Sequence, residues 1–217
     1  MKDFKGAIFD LDGTLLDSME VWQNIDKEFF KKRGIKEPEN YIETINPMGF
    51  RQAAEYTIKQ FGLKETAEEI IKEWNEMSVE AYRTSVFIKP FVKEYLTCLK
   101  IQGIKTSVAT ASQEELFVPA LKNSGVYEMF DAFTTLSEVN RGKGFPDIYI
   151  KAAEKIGLEP CDCVVFEDIS AGIKGAKDGG FYTVGVYDPF SDFEKDKIIK
   201  LSDMYINDFG ELLNKHL

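Results

Sequence analysis

The sequence predicts an α/β fold: a doubly wound parallel sheet with a small helical insertion. Three observations lead there. Short β-branched or aromatic runs recur with helical stretches between them, nearly a hundred residues separate the first two strong runs, and acids gather where two of the runs end.

The first strand, 7–10 (AIFD), runs into Asp10-Leu11-Asp12-Gly13. Asp-Gly is a common turn signal, so this stretch could simply close a strand with a solvated acid beside it. The long interval that follows holds three amphipathic patterns. Val21, Trp22, Ile25 and Phe29 share one helical face, Phe50, Ala53, Ala54 and Phe61 a second, and Ala67, Ile70, Ile71, Trp74 and Met77 a third. They predict a helical bundle over 18–87, broken at Gly34, Pro38, Pro47, Gly49 and Gly62, with the return at Pro90. Residues 1–17 and 88–217 then form the sheet domain.

The second strand, 106–109, leads to Thr110-Ala111-Ser112, and Ser112 with Glu115 reads as an S-x-x-E capping box opening the next helix. A weaker strand is expected at 132–135. Lys143 then sits in a Gly-flanked loop before a helix carrying Ile148, Ala152, Ala153 and Ile156. The strand at 164–166 ends in Glu167-Asp168, and Ser170-Ala171-Gly172 opens a helix. Strands at 183–186 and, more weakly, 204–206 complete the pattern.

Composition narrows the chemistry. The 217 residues carry a formal charge of −10, which argues against a nucleic-acid or anionic-membrane partner, because such binding rests on clustered Lys and Arg. No run approaches the roughly 18 to 20 apolar residues of a membrane span. Met1-Lys2-Asp3 leads into a strand without a signal-peptide core, so a cytoplasmic location is expected. Cys98, Cys161 and Cys163 lack zinc or redox spacing and read as structural thiols. His216 is the only histidine and stands next to last, a poor place for a Ser-His-Asp or Cys-His triad or for a zinc site. The chemistry falls to carboxylates, hydroxyls, lysines and a hard metal ion.

In a doubly wound sheet the ligand site lies beyond the carboxyl ends of the strands. Asp10 and Asp12 end one strand there, and Glu167 and Asp168 another. Two carboxylates about 4 Å apart repel by roughly 4 kcal/mol at an effective dielectric near 20. Either some stay protonated, or a cation sits among them, or the rim is simply solvated. Oxygen-only ligands suit Mg²⁺. Lys143 is either an ordinary surface lysine or the cation that neutralises this edge.

The signatures FDLDGTLLDS, VATAS, GKGFPDIY and VVFEDISAGIKGA, in this order over residues 8–176, resemble those of the haloacid dehalogenase superfamily. Within it the chain is similar to the phosphatase and β-phosphoglucomutase-like group. The resemblance implies a Rossmann-like core with an inserted helical cap. It implies a Mg²⁺-dependent phosphatase acting on a small phosphorylated metabolite, a sugar phosphate or nucleotide. Asp10 would be the nucleophile that becomes an aspartyl phosphate, and Asp12 the general acid and base. Thr110, Ala111 and Lys143 would hold the phosphate. Asp10, the Asp12 carbonyl and Asp168 would bind the metal, with Glu167 acting through water. Trp22, Met48, Gly49, Phe50 and Arg51 in the cap are candidates for selecting the substrate, although Trp22 and Phe50 also have the spacing of a packed bundle.

Two positions depart from the group. Gly144 follows Lys143 where proline is common, and Trp22 stands where the mutases carry a histidine near the cap hinge. The second departure favours hydrolysis over a sugar phosphomutase. Dehalogenation, which needs no acid for its leaving group, is disfavoured by Asp12, and a non-catalytic binding role by the complete set of motifs.

Overall fold

The structure, a computed structural model, describes residues 4–36, 38–45 and 47–213, so the His216 expectation lies outside the described residues. Six strands form one sheet: β1 (Gly6–Phe9), β2 (Lys105–Thr110), β3 (Ala132–Thr135), β4 (Cys163–Glu167), β5 (Tyr182–Val186) and β6 (Met204–Ile206). Their order is β3-β2-β1-β4-β5-β6, and every pairing is parallel. All six expected strands are present. The first is shifted by one residue, so Asp10 is the first residue beyond β1 and sits at the crevice where the strand order reverses.

Alternation along the strands sorts the core into two faces. Ala7 and Phe9 of β1, Val108 of β2 and Val164 and Phe166 of β4 point to one side. There they meet α5 (Val92–Ile101), α6 (Glu114–Asn123) and α10 (Gly210–Leu213). Phe9 and Phe166 stack at 4.7 Å directly beneath the strand ends that carry the acids. Ile8, Ala109 and Val165 face the other side, toward α7 (Asp147–Lys155) and α8 (Ser170–Asp178). The short α9 (Lys195–Leu201) packs beside α8 and β6.

Between β1 and β2 lie α1 (Met19–Lys32), α2 (Tyr41–Ile45), α3 (Phe50–Phe61) and α4 (Ala67–Thr84), which form the helical cap. The three expected apolar faces meet in a separate cap core built on Ile25, Phe29, Ala54, Ile70 and Trp74. Thr66 and Glu69 make the capping box that starts α4. The five-residue α2 carries too short a period to read from sequence.

The two linkers joining sheet and cap pair with each other. Asp17 N–H donates to the Phe87 carbonyl at 2.9 Å, Lys89 N–H to Leu15 at 2.8 Å, and Leu16 and Ile88 form an antiparallel bridge.

The expected capping box at Ser112 and Glu115 is not formed. The helix begins at Glu114 with Gln113 as its N-cap, and no side chain caps it. Ser112 lies one residue too early: its N–H is turned back to Thr110 Oγ1 at 3.0 Å, and its own hydroxyl is buried without a partner.

Candidate active site

The carboxyl ends of β1 and β4 bring Asp10, Glu167 and Asp168 together, with one carboxylate oxygen from each within 4.8 Å of the others. Asp10 is 3 % exposed, Glu167 0 % and Asp168 2 %, so the rim is not a solvated one. Gly13 allows this approach. Its φ of +81° is a left-handed conformation, and a Cβ there would stand 2.3 Å from Asp168 Oδ2. Thr14 Oγ1 donates to Asp168 Oδ1 at 3.0 Å and Ser191 Oγ to Oδ2 at 3.1 Å, which fixes that carboxylate.

Lys143 is the buried cation of the set. Its Nζ contacts Asp10 Oδ1 and lies 2.8 Å from Glu167 Oε1, which also accepts from Tyr149 OH at 2.7 Å. Burial works to lower the Lys143 pKa, but Asp10 and Glu167 outweigh it and hold the ammonium above its ordinary value. Burial is likewise the largest influence on Asp10. Lys143 opposes it, Glu167, Asp168 and Asp12 add to it, and the carboxyl stands well above the usual range. Asp168 is pushed up to about 7 by burial, then by Glu167 and Asp188, against Lys143 and Lys89. Three buried acids, Asp10, Glu167 and Asp168, thus meet one buried lysine, Lys143, an excess of negative charge that a divalent cation fits. The donor set is oxygen-only, as a hard ion requires.

Asp12 faces elsewhere. Its Oδ1 accepts from Ser18 Oγ at 2.6 Å and from the hydroxyl of Tyr82 on α4, which in turn accepts from Trp22 Nε1 on α1 at 2.6 Å. Tyr82 is fully buried, and burial followed by the Asp12 charge holds its phenol well above its ordinary pKa. The two carboxylates expected to bind the metal, those of Asp10 and Asp168, are both in the cluster, and the Glu167 carboxylate, expected to act through water, lies beside them; Asp12 was expected to offer its backbone carbonyl, and its side chain lies outside the cluster.

Thr110 ends β2 fully buried, and Ala111 and Ser112 line the cavity between the strand ends and the cap. Of the cap candidates, Trp22, Met48 and Phe50 line that cavity beside Asp10, Asp12 and Lys143. Gly49 and Arg51 line a neighbouring groove with Phe50, and Arg51 is paired outward with Glu68 at 2.8 Å.

Several polar neighbours escaped the sequence reading. Tyr82 carried a faint signal: Ile70, Trp74, Ser78 and Tyr82 recur every fourth residue, one stripe of a buried helix face. Lys89, whose Nζ contacts the Gly13 carbonyl and lies 2.7 Å from Asp188 Oδ2, carried none, nor did Ser191.

A helical cap over the switch point of a parallel sheet, with an acid triad and a buried lysine between them, defines an acid-based hydrolase site. Residues 7–186 match the family model described as haloacid dehalogenase-like hydrolase, and the chain belongs to that family. It is 30 % identical over 182 residues to YhcW of Bacillus subtilis, covering 83 % of this chain and 82 % of that one. It is 28 % identical over 187 residues to hexitol phosphatase A of Escherichia coli, covering 85 % and 84 %. The fold superposes on a β-phosphoglucomutase of Clostridium difficile with a TM-score of 0.81 at 20 % identity, covering 98 % of this chain and 97 % of that one.

Proposed function

We propose that the protein is a Mg²⁺-dependent phosphatase that hydrolyses a small phosphorylated metabolite, a sugar phosphate or a nucleotide, through an aspartyl phosphate on Asp10. The observation that carries this reading is the buried contact of Lys143 with Asp10 beside Glu167 and Asp168, opening onto a cavity under the cap. Relatives named for hexitol phosphates support the sugar-phosphate side.

A carboxylate attacking a phosphate dianion meets strong repulsion, which Lys143 relieves by neutralising Asp10 and the phosphoryl oxygens in turn. Thr110 and Ala111 complete the phosphate cradle. Asp10, Glu167 and Asp168 would hold the metal with the Asp12 carbonyl, and the ion would supply the remaining neutralisation of charge on the phosphoryl group. Asp10 displaces the alcohol, Asp12 protonates the departing oxygen, and Asp12 then takes a proton from the water that cleaves the aspartyl phosphate. The cap, 18–87, roofs the cavity over the site, where it would contact the part of the substrate that leaves.

Phosphate release from a panel of sugar phosphates and nucleotides, with Mg²⁺ and with excess chelator, tests the reading. Metal-dependent release from a subset of the panel is expected. Full activity in chelator would overturn the metal assignment, and no release from any ester the phosphatase reading itself.

A further inference from the structure

Three hydrogen bonds give the Asp12 carboxyl a defined polarity. An indole N–H donates and never accepts, so the Tyr82 oxygen takes the Trp22 hydrogen and its own single hydrogen goes to Asp12 Oδ1. Ser18 places a second hydroxyl hydrogen on the same oxygen at 2.6 Å. Oδ1 is therefore engaged twice, while Oδ2 has no protein donor among the described residues. Asp12 and Ser18 flank the turn leaving β1, whereas Tyr82 lies 70 residues further along the chain, at the far end of the cap. The Trp22 ring packs edge-on against the Tyr82 ring at 5.7 Å, which holds the phenol in line.

We propose that Tyr82 is a positioning residue: braced by Trp22, it clamps Asp12 Oδ1 so that Oδ2 is the oxygen that exchanges the proton, and only a seated cap completes the clamp. In the first half-reaction the Asp10–phosphorus bond forms and the bond to the alcohol oxygen breaks, with the Oδ2 proton passing to that oxygen. In the second, the water–phosphorus bond forms and the Asp10–phosphorus bond breaks, with a water proton returning to Oδ2. Tyr82 keeps its own proton throughout. The proposal rests on the phosphatase reading above.

The test compares pre-steady-state phenol release from p-nitrophenyl phosphate, whose leaving group needs little protonation, and phenyl phosphate, whose leaving group needs more. Tyr82→Phe keeps the ring and removes the donor. It is expected to slow release from phenyl phosphate by about 10- to 100-fold, as loss of a charge-assisted hydrogen bond would, and release from p-nitrophenyl phosphate several-fold less. Trp22→Phe, which removes the indole donor to Tyr82 while keeping a ring in place, should show the same skew at smaller size, and it carries the test if Tyr82→Phe fails to fold. Equal slowing of both esters would mark a purely structural role and overturn the proposal, as would no slowing of either. If the wild type released phenol from neither ester, the phosphatase reading would fall with it. An active wild type with unskewed variants overturns the clamp alone.

Discussion

Asp10 and Asp12 are two residues apart and live in different surroundings. Asp10 is buried against Lys143, while Asp12 is bound through one oxygen to hydroxyls of Ser18 and Tyr82. The separation follows from where the strand ends: β1 stops at Phe9 and the chain turns directly after Asp10, with the Leu11 carbonyl accepting from the N–H groups of Thr14, Leu15 and Leu16, so Asp12 does not continue the strand's alternation. Asp10→Asn is therefore expected to abolish turnover of p-nitrophenyl phosphate with an unchanged circular dichroism spectrum, and more than a few per cent of wild-type rate would contradict covalent attack by Asp10. Asp168 invites a second substitution. Its charge is held against Glu167 and Asp188 in a buried site, so Asp168→Asn should relieve repulsion when no metal is bound. In chelator the variant should melt roughly 2–8 °C above wild type, from about 1–2 kcal/mol of relief in a chain of this size. Wild type should gain stability on adding Mg²⁺ and the variant should gain little, because a ligand that binds only the folded state stabilises it in proportion to its affinity. Calorimetry with and without the ion measures both effects. A variant less stable than wild type in chelator would show that the carboxylates are not in conflict.

At the scale of single elements, the helix after β4 explains how the lysine loop is seated. A Cβ at Gly175 of α8 would stand 2.1 Å from the Lys143 carbonyl, and one at Gly172 2.3 Å from the Glu167 carboxyl carbon. These glycines, one helical turn apart, let α8 lie directly on the two residues that meet Asp10. Gly144, by contrast, has open space around its Cβ position and needs no left-handed backbone. The pose of Lys143 is thus set by Asp10, Glu167 and α8 rather than by the residue that follows it. Gly175→Ala should cost about 1–3 kcal/mol in denaturant unfolding, as overpacking does, and raise KM by displacing the lysine. Gly144→Ala should change neither beyond about 0.5 kcal/mol. Equal effects of the two would refute this account. The same scale shows what the sequence can carry. The strands were legible from their β-branched runs, and Asp10, Asp12, Lys143, Glu167 and Asp168 from their places at strand ends and in a loop before a helix. Tyr82, Lys89 and Ser191 were not, because each reaches the site through the path of the folded chain rather than through a local motif. Ser112 misled for the opposite reason. Its local pattern fits a cap, but the turn after β2 uses its N–H for Thr110, and the helix starts two residues later.

Across the whole molecule, charge bears on the choice between hydrolysis and phosphoryl migration. The chain carries a formal charge of −10, and its cavity is walled by Asp10, Asp12, Asp26 and Asp168 against Lys143, the one cation lining it among the described residues. The rest of the wall is largely apolar and includes the rings of Trp22, Phe50 and Trp74, which pack against one another. Arg51, the cap residue best suited by type to a second phosphate, is turned outward onto Glu68. A mutase must bind a bisphosphate whose second phosphate sits away from the nucleophile, and must keep water from the aspartyl phosphate while that intermediate reorients. In this cavity a second phosphate would meet carboxylates and rings rather than a cation, and Trp22 spends its one hydrogen-bond donor on Tyr82. Steady release of phosphate from a sugar monophosphate is therefore expected, with no requirement for a bisphosphate primer. Following β-glucose 1-phosphate by NMR, with and without the 1,6-bisphosphate, separates the two outcomes. Hydrolysis predicts free phosphate at a rate that the bisphosphate leaves within about twofold, since a dianion facing an uncompensated acidic wall competes poorly for the site. Rapid formation of glucose 6-phosphate only when the bisphosphate is present, with negligible free phosphate, would show that the cap finds a cation for the second phosphate and that the protein is a mutase.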